Sequence, residues 1–223
     1  MDQMTARPQR IAEAEMPVAA GEGSRAEILE AAALCFMERG YQATSIDDVA
    51  RRLGATKGRV YHHYPSKADL FADIFRAGMD MNFAAISPCL EGNSAPLKRL
   101  QAMAAVHTRQ MIRTRAYQRV VWEGVEMHLR GATTPEQREA FARLQQRRDD
   151  YEKLFRDAIA AGREAGLLSF DSLGVASQLL FISLNSPIFW YSPRVGETEA
   201  DTQRTANQIV AFALRGLGAT LED

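Results

Sequence analysis

Cysteine is scarce in this chain. Cys35 and Cys89 are the only two in 223 residues, too few for a disulfide scaffold or a cysteine-rich metal site. No unbroken run of 18 or more apolar residues occurs, so neither a membrane span nor a membrane partner is expected. No apolar core follows a basic start, so no signal peptide is read and a reducing, cytoplasmic setting is expected. Strand-like alternation is nearly absent and β-branched residues are sparse, which excludes a sheet-built core. Neither sign of charge dominates. The 27 Lys and Arg against 28 Asp and Glu leave a net charge of −1. That excludes a body coated in basic side chains for nucleic acid but leaves room for a local patch. No nucleophile–base spacing, Gly-rich phosphate loop or metal-ligand motif is present, so no catalysis, cofactor or metal is expected. His62 and His63 are adjacent, and neighbours on a helix point about 100° apart, which makes them a poor ligand pair.

What is present is helical. An apolar fraction of 46% is too high for a disordered chain. The expectation is an all-α fold of about nine helices in three parts: a flexible tail over 1–23, a three-helix domain with a helix-turn-helix over 24–70, and a larger helical domain over 71–223. The tail holds Pro8, Pro17, Gly21 and Gly23, with Arg7 and Arg10 placed to touch phosphate if it were a DNA-binding arm.

The first helix opens at Ser24, with Glu27 at capping-box spacing, and stops at Gly40. Thr44 or Ser45 caps the second, where Ile46, Val49, Ala50 and Leu53 recur at i, i+3, i+4 and i+7 and Gly54 closes it. Thr56 caps a short third helix, and two short helices across a Gly turn have the shape of a helix-turn-helix. From Arg51 to Lys67 there are five basic residues (Arg51, Arg52, Lys57, Arg59, Lys67) and no acid, interleaved with Tyr61, His62, His63 and Tyr64. Lys and Arg on such a helix reach guanine O6 and N7, and hydroxyls reach phosphates.

The order of residues is more specific than the charge. Gly40-Tyr41-Gln42-Ala43-Thr44-Ser45-Ile46, then Leu53-Gly54-Ala55-Thr56-Lys57-Gly58-Arg59-Val60-Tyr61-His62-His63-Tyr64-Pro65-Ser66-Lys67, resembles the DNA-binding domain of the TetR (tetracycline repressor-like) family of transcriptional regulators. His62 stands where a tyrosine is frequent and Tyr64 where phenylalanine is usual. The resemblance implies a double-stranded DNA operator as partner and a role for each matching position. Thr44 would bond phosphate, and Thr56, Lys57, Gly58 and Arg59 would open the recognition helix, with Lys57 and Arg59 on base edges. Gly58 would allow close backbone approach, Tyr61 and His62 would hold phosphates, and Lys67 would anchor the far backbone. Val60, Tyr64, Leu70 and Phe71 would pack.

In the body, a fourth helix runs to about residue 84 before a loop at Pro88 and Glu91–Ser94. Pro96 opens a fifth, a sixth spans about 116–130 with Val121, Trp122, Val125 and Leu129, and a seventh starts at Thr134, Pro135 and Gln137 and reaches about 165. Two polar residues interrupt apolar stripes. His107 falls among Leu100, Ala104 and Met111, and Arg148 falls between Leu144 and Tyr151. Each is either satisfied inside the core, Arg148 by a Glu, or meets a small effector, an anionic one in the case of Arg148. With Met111, Trp122, Tyr151, Phe189 and Trp190 they form the candidate effector set, Phe189 and Trp190 having core packing as their other reading. Six basic residues and no acid lie between Glu91 and Glu123, either a solvated face or a site for ligand phosphates. Leu173–Tyr191 is apolar nearly all round and a last helix carries Ile209, Val210, Phe212, Ala213, Leu214 and Leu217. Such helices are buried on more than one side, within a large core or against a second subunit.

The resemblance implies the second: a homodimer through the last two helices, repressing from a palindromic operator and released by a small molecule. The fourth helix would be the lever. Trp190-Tyr191 before the Pro193–Gly196 loop looks like a pair in family members that govern fatty-acid, steroid or aromatic-acid breakdown, several of which respond to acyl-CoA. An acyl-CoA or other hydrophobic anion is therefore the effector expected. An activator of the same fold and a helical dimerisation protein without DNA binding are the alternatives.

Overall fold

The computed structural model describes the backbone of residues 23–130 and 135–221 and, within it, the side chains of 24–124, 138, 139 and 141–221. The tail up to Glu22 with Arg7 and Arg10, the side chains of Val125, Leu129 and Gln137, and the start signal Thr134 lie outside the described residues. Among the described residues ten helical segments follow one another: α1 (Gly23–Ala43), α2 (Ile46–Leu53), α3 (Lys57–His63), α4 (Lys67–Leu90), α5 (Pro96–Arg113), α6 (Arg115–Arg130), α7 (Pro135–Glu164), α8 (Leu173–Asn185), α9 (Pro187–Trp190, a single turn) and α10 (Glu199–Gly216). No strand occurs among the described residues.

Local chemistry sets most of the ends. Ser45 caps α2 and Asp48 completes a capping box, as Thr198 and Asp201 do for α10. Thr56 and Ser66 cap α3 and α4. Gly54, left-handed at φ 67°, makes the turn between α2 and α3 that a side chain would strain. Gly40 (φ 77°, ψ 164°) breaks α1 three residues before its end.

Three expectations are corrected. Ser24 is not a cap but lies inside α1, one residue after its start. The fourth helix does not end near 84. It continues through Pro88 to Leu90, because Ile86 is fully buried and Cys89 half-buried on the inner face, while Ala84, whose carbonyl loses its partner to Pro88, is at the surface. The apolar segment from 173 divides at Ser186-Pro187, since Pro187 has no N–H to extend α8 and restarts the helix at N1. That segment, Leu173–Trp190, is uncharged with a mean hydropathy of 1.3, which by length and composition suffices for a membrane span. In the fold its inner residues Ala176, Leu180, Leu184 and Ile188 are buried, and α8 and α9 pack on α5, α6, α7 and α10.

α1 to α3 form a small head on the first half of α4. Ile28, Phe36, Val49, Val60, Leu70 and Phe71 are its core. α4 then passes between α5, α6 and α7, and α6 also packs along α1. The α4–α6 seam is tight: a Cβ on Gly124 would lie 2.7 Å from the Phe75 ring, and one on Gly78 2.9 Å from Val121. Head and body thus share one continuous core.

Candidate nucleic-acid interface and effector cavity

α3 is anchored by its two large apolar residues and open on the rest. Val60 is fully buried and Tyr64, its C-cap, is 3% exposed. Tyr64 donates its hydroxyl to Asp73 at 2.7 Å, and Arg25 reaches both groups, at 3.1 Å to the hydroxyl and 2.7 Å to the carboxylate. Burial, then the bond to Asp73, raises the Tyr64 hydroxyl far above its ordinary range. This knot fixes α3 against α1 and α4. Thr56, Lys57, Gly58, Arg59, Tyr61, His62 and His63 are all exposed on one short helix. A Cβ on Gly58 would meet nothing closer than the Thr56 hydroxyl at 3.9 Å, so no other part of the described chain covers the backbone there.

Thr44 and Lys67 do not join this face. Thr44 is 2% exposed and donates its hydroxyl to the Gly40 carbonyl at 2.8 Å, holding the α1–α2 corner from inside, so its side chain is turned away from any phosphate. Lys67 Nζ donates to the carbonyls of Tyr41 (2.7 Å) and Thr44 (2.9 Å) and lies 4.3 Å from the Tyr41 ring centroid. A cation at the carbonyl end of a broken helix is a C-cap. Desolvation there pulls the ammonium below its usual range. Sequence reasoning missed the third member of this corner. The break at Gly40 frees the Tyr41 N–H from the helix ladder, and Glu123 of α6 accepts it at 2.7 Å. No local signal marks Glu123, because its partner is 82 residues away.

The remaining cations of the Arg51–Lys67 run are paired. Arg51 and Arg39 share Asp48 (2.9 Å each), Arg52 grips Glu38 with two bonds (2.7 and 2.8 Å), Lys57 meets Asp47 (3.1 Å) and Arg59 meets Glu27 (2.5 Å) and Ser24.

In the body, His107, Met111, Trp122, Arg148 and Tyr151 line one cavity of about 40 Å³, room for roughly three waters. The same stripe interruptions that marked His107 and Arg148 also occur at Asn82, Gln118 and Asn185, which complete its polar wall; Met79, Val121, Glu152, Phe181 and Ile188 supply the rest. His107 is locked. Asn185 offers a carbonyl oxygen 3.0 Å from Nε2, which places the ring proton there and leaves Nδ1 to accept from the Tyr151 hydroxyl at 2.8 Å. Burial pushes its pKa down to about 4 against the Asn185 bond. Arg148 is held by Glu152 one turn on, and burial raises that carboxyl. Asn82 donates to Gln118 at 3.0 Å, while its own Oδ1 is buried without a partner, an acceptor left open on the cavity wall.

Phe189 and Trp190 fall outside the cavity and are 52% and 56% exposed, which also removes the core-packing reading. α9 is one turn long and turns Pro187 and Ile188 inward, so the next two residues face out. Phe189 sets its ring against the edge of Trp122 at 5.1 Å and beneath Arg119, and Trp190 borders a separate open groove with residues 191–208. The basic run of α5 and α6 does not line the cavity either. Arg109, Arg113 and Arg115 bind Gln203, Glu199 and the Tyr191 carbonyl, tying α5 and α6 to the C-terminal segment.

Residues 28–74 match the family described as bacterial regulatory proteins, tetR family, and residues 93–217 match the tetracyclin repressor-like C-terminal domain. The chain is 29% identical over 195 residues to the HTH-type transcriptional repressor KstR2 of Mycobacterium tuberculosis, spanning 86% of this chain and 92% of that one. The solved structure of that organism's ketosteroid transcriptional regulator KstR2 superposes with a TM-score of 0.74 at 27% identity, over 91% of this chain and 97% of that one. A tetR-family regulatory protein from Rhodococcus RHA1 gives 0.75 at 26%, over 90% and 100%.

Proposed function

The chain belongs to the TetR family of bacterial regulatory proteins, and from that premise we propose that it is a homodimeric transcriptional repressor released by a small effector. Residues 24–70 are the DNA-binding domain and 71–223 the effector-binding and dimerisation domain, acting in the cytoplasm. The observation that carries the reading is α3: a capped helix with Val60 and Tyr64 anchored inside and Thr56, Lys57, Gly58, Arg59, Tyr61 and His62 all outside. Paired copies of that helix would enter successive major grooves about 34–36 Å apart, on a near-palindromic operator. The named relative, a repressor matched over 92% of its length, supports the direction of control.

An unpartnered apolar face supports the dimer. Val175, Leu179 and Ile182 repeat along α8, each more than half exposed, and Phe212 of the packed α10 is 75% exposed. Contiguous apolar surface of this kind marks an interface. The effector site is the α4–α8 cavity. Arg148, with Glu152 displaced, suits the anionic group of an acyl-CoA or other hydrophobic anion, and a ligand of that size needs lining side chains of the cavity to swing aside. The shift reaches the head through α6, where Trp122 lines the cavity and Glu123 holds the Tyr41 N–H, and through the α4 lever. Binding-site selection followed by gel shift tests the reading. A near-palindrome bound by the parent is expected, with Arg59→Ala relaxing base choice at one position per half-site by about 1–3 kcal/mol. No retained sequence, or one unchanged by Arg59→Ala, would overturn it.

A further inference from the structure

The five cations read as a +5 patch in the sequence are not a free patch in the fold. Arg59 and Lys57 stand on the exposed face of α3, yet each is met by a carboxylate from a different helix, Glu27 of α1 at 2.5 Å and Asp47 of α2 at 3.1 Å. Arg59 is held at a second point by Ser24, through Nε and its terminal nitrogen at 3.3 and 3.2 Å. The bond that Lys57 donates to Asp47 raises its ammonium, as one to a phosphate would. All four side chains are between 40% and 55% exposed, so these pairs are weak and open readily.

We infer that Glu27 and Asp47 are built-in counter-ions of the reading helix, which occupy Arg59 and Lys57 in the free protein and must be displaced by DNA. A cation already facing a carboxylate gains little by exchanging it for a phosphate, and the released carboxylate then sits beside the duplex and retains a solution cation there. Both effects lower affinity for DNA of any sequence. The second also makes binding less salt-dependent than the count of cations implies, because fewer counter-ions are released in net. A bidentate contact to a guanine edge is stronger than an exposed ion pair and still forms. The device therefore sets how much of the protein stays off bulk DNA. It rests on reading α3 as the DNA-contacting helix.

The probe is a labelled duplex of random sequence, titrated with the full-length protein at several salt concentrations. Glu27→Gln and Asp47→Asn keep shape and remove charge. Each is expected to tighten binding by up to about fivefold, and the pair by about tenfold, with a steeper dependence on salt. In an Arg59→Ala background Glu27→Gln is expected to gain clearly less, because only the carboxylate beside the duplex, and no ion pair, is then removed. Affinity and salt slope unchanged in both amide variants would overturn the inference, as would a gain just as large without Arg59, which would trace it to overall charge. If Lys57→Ala and Arg59→Ala themselves leave duplex binding unchanged, it is the reading of α3 that fails.

Discussion

Two arginine–glutamate pairs illustrate how differently the head and the body hold their charges. Arg59 and Glu27 meet across the surface of α3, with side chains 40% and 55% exposed; Arg148 and Glu152 meet on one face of α7, with 22% and 12%. The first pair is screened by water and salt and exchanges partners at small cost. The second lies in a wall of the cavity, where removing one partner strands the other. The same division runs through the molecule. Three cations of the head, Arg52, Lys57 and Arg59, are tied by exposed carboxylates, while Asp48 and Asp73 are the head's two largely buried ones. Polar groups in the body are buried and interlocked, His107 with Tyr151 and Asn185, Asn82 with Gln118. On the proposed reading, the surface that trades carboxylate for phosphate is built from weak pairs, and the cavity that takes the effector is built from interlocked ones.

The comparison breaks first if the body is not the rigid half. Phe155 is fully buried and touches the rings of His107, Tyr151 and Phe181. Phe155→Ala is expected to lose about 3–5 kcal/mol in chemical denaturation, against well under 1 kcal/mol for Glu27→Gln. A loss below about 1 kcal/mol would show a body that relaxes around the cavity and so is not locked. His107 gives the next largest effect. Its folded pKa of about 4 lies below the unfolded value near 6.5, so between those values the unfolded chain binds more protons and stability falls as pH falls. About 3 kcal/mol should be lost across that window. The raised carboxyl of Glu152 contributes the opposite trend, so the test is the difference between parent and His107→Asn, whose profile should lose this component. Parallel profiles would mean that the imidazole is not held neutral.

The legible parts of the fold were those whose cause is local. Capping residues, the Gly54 turn and the spacing of Ile46, Val49 and Ala50 act within a few residues of one another, and the head was readable from them. The cavity was half legible because a polar residue on an apolar stripe is visible without a structure; His107 and Arg148 stood out, while Asn82, Gln118 and Asn185 carried the same signal. What escaped was set by distant chain. The resemblance implies phosphate roles for Thr44 and Lys67, but the break at Gly40 turns one inward and the other caps carbonyls. Pro88 misled because helix ends depend on what the last turn buries. Phe189 and Trp190 misled because two residues past a Pro restart, a four-residue helix decides which side faces in. The charge patch misled most, since the neutralising acids arrive from α1 and α2 rather than from the run itself.

Lys67 is where head and body meet, and it makes the smallest and sharpest test. If its ammonium is a cap on the broken end of α1, Lys67→Met removes two charge-assisted bonds to carbonyls and is expected to lower stability by about 1–2 kcal/mol. The salt slope of duplex binding should then stay as it is, because no phosphate contact has been removed. If instead Lys67 serves phosphate, the slope should fall by about 0.9 with little change in melting. Lys67→Arg separates the two further. A guanidinium keeps the charge for a phosphate but is too broad and planar to place its donors on the carbonyls of Tyr41 and Thr44 as an ammonium does. The cap reading therefore expects Lys67→Arg to melt nearly as early as Lys67→Met. It also expects Glu123→Ala to weaken the same corner, because the N–H that Glu123 holds belongs to the residue whose carbonyl holds Lys67. A corner loosened from the α6 side would show that the rigid body sets the geometry of the exchangeable head.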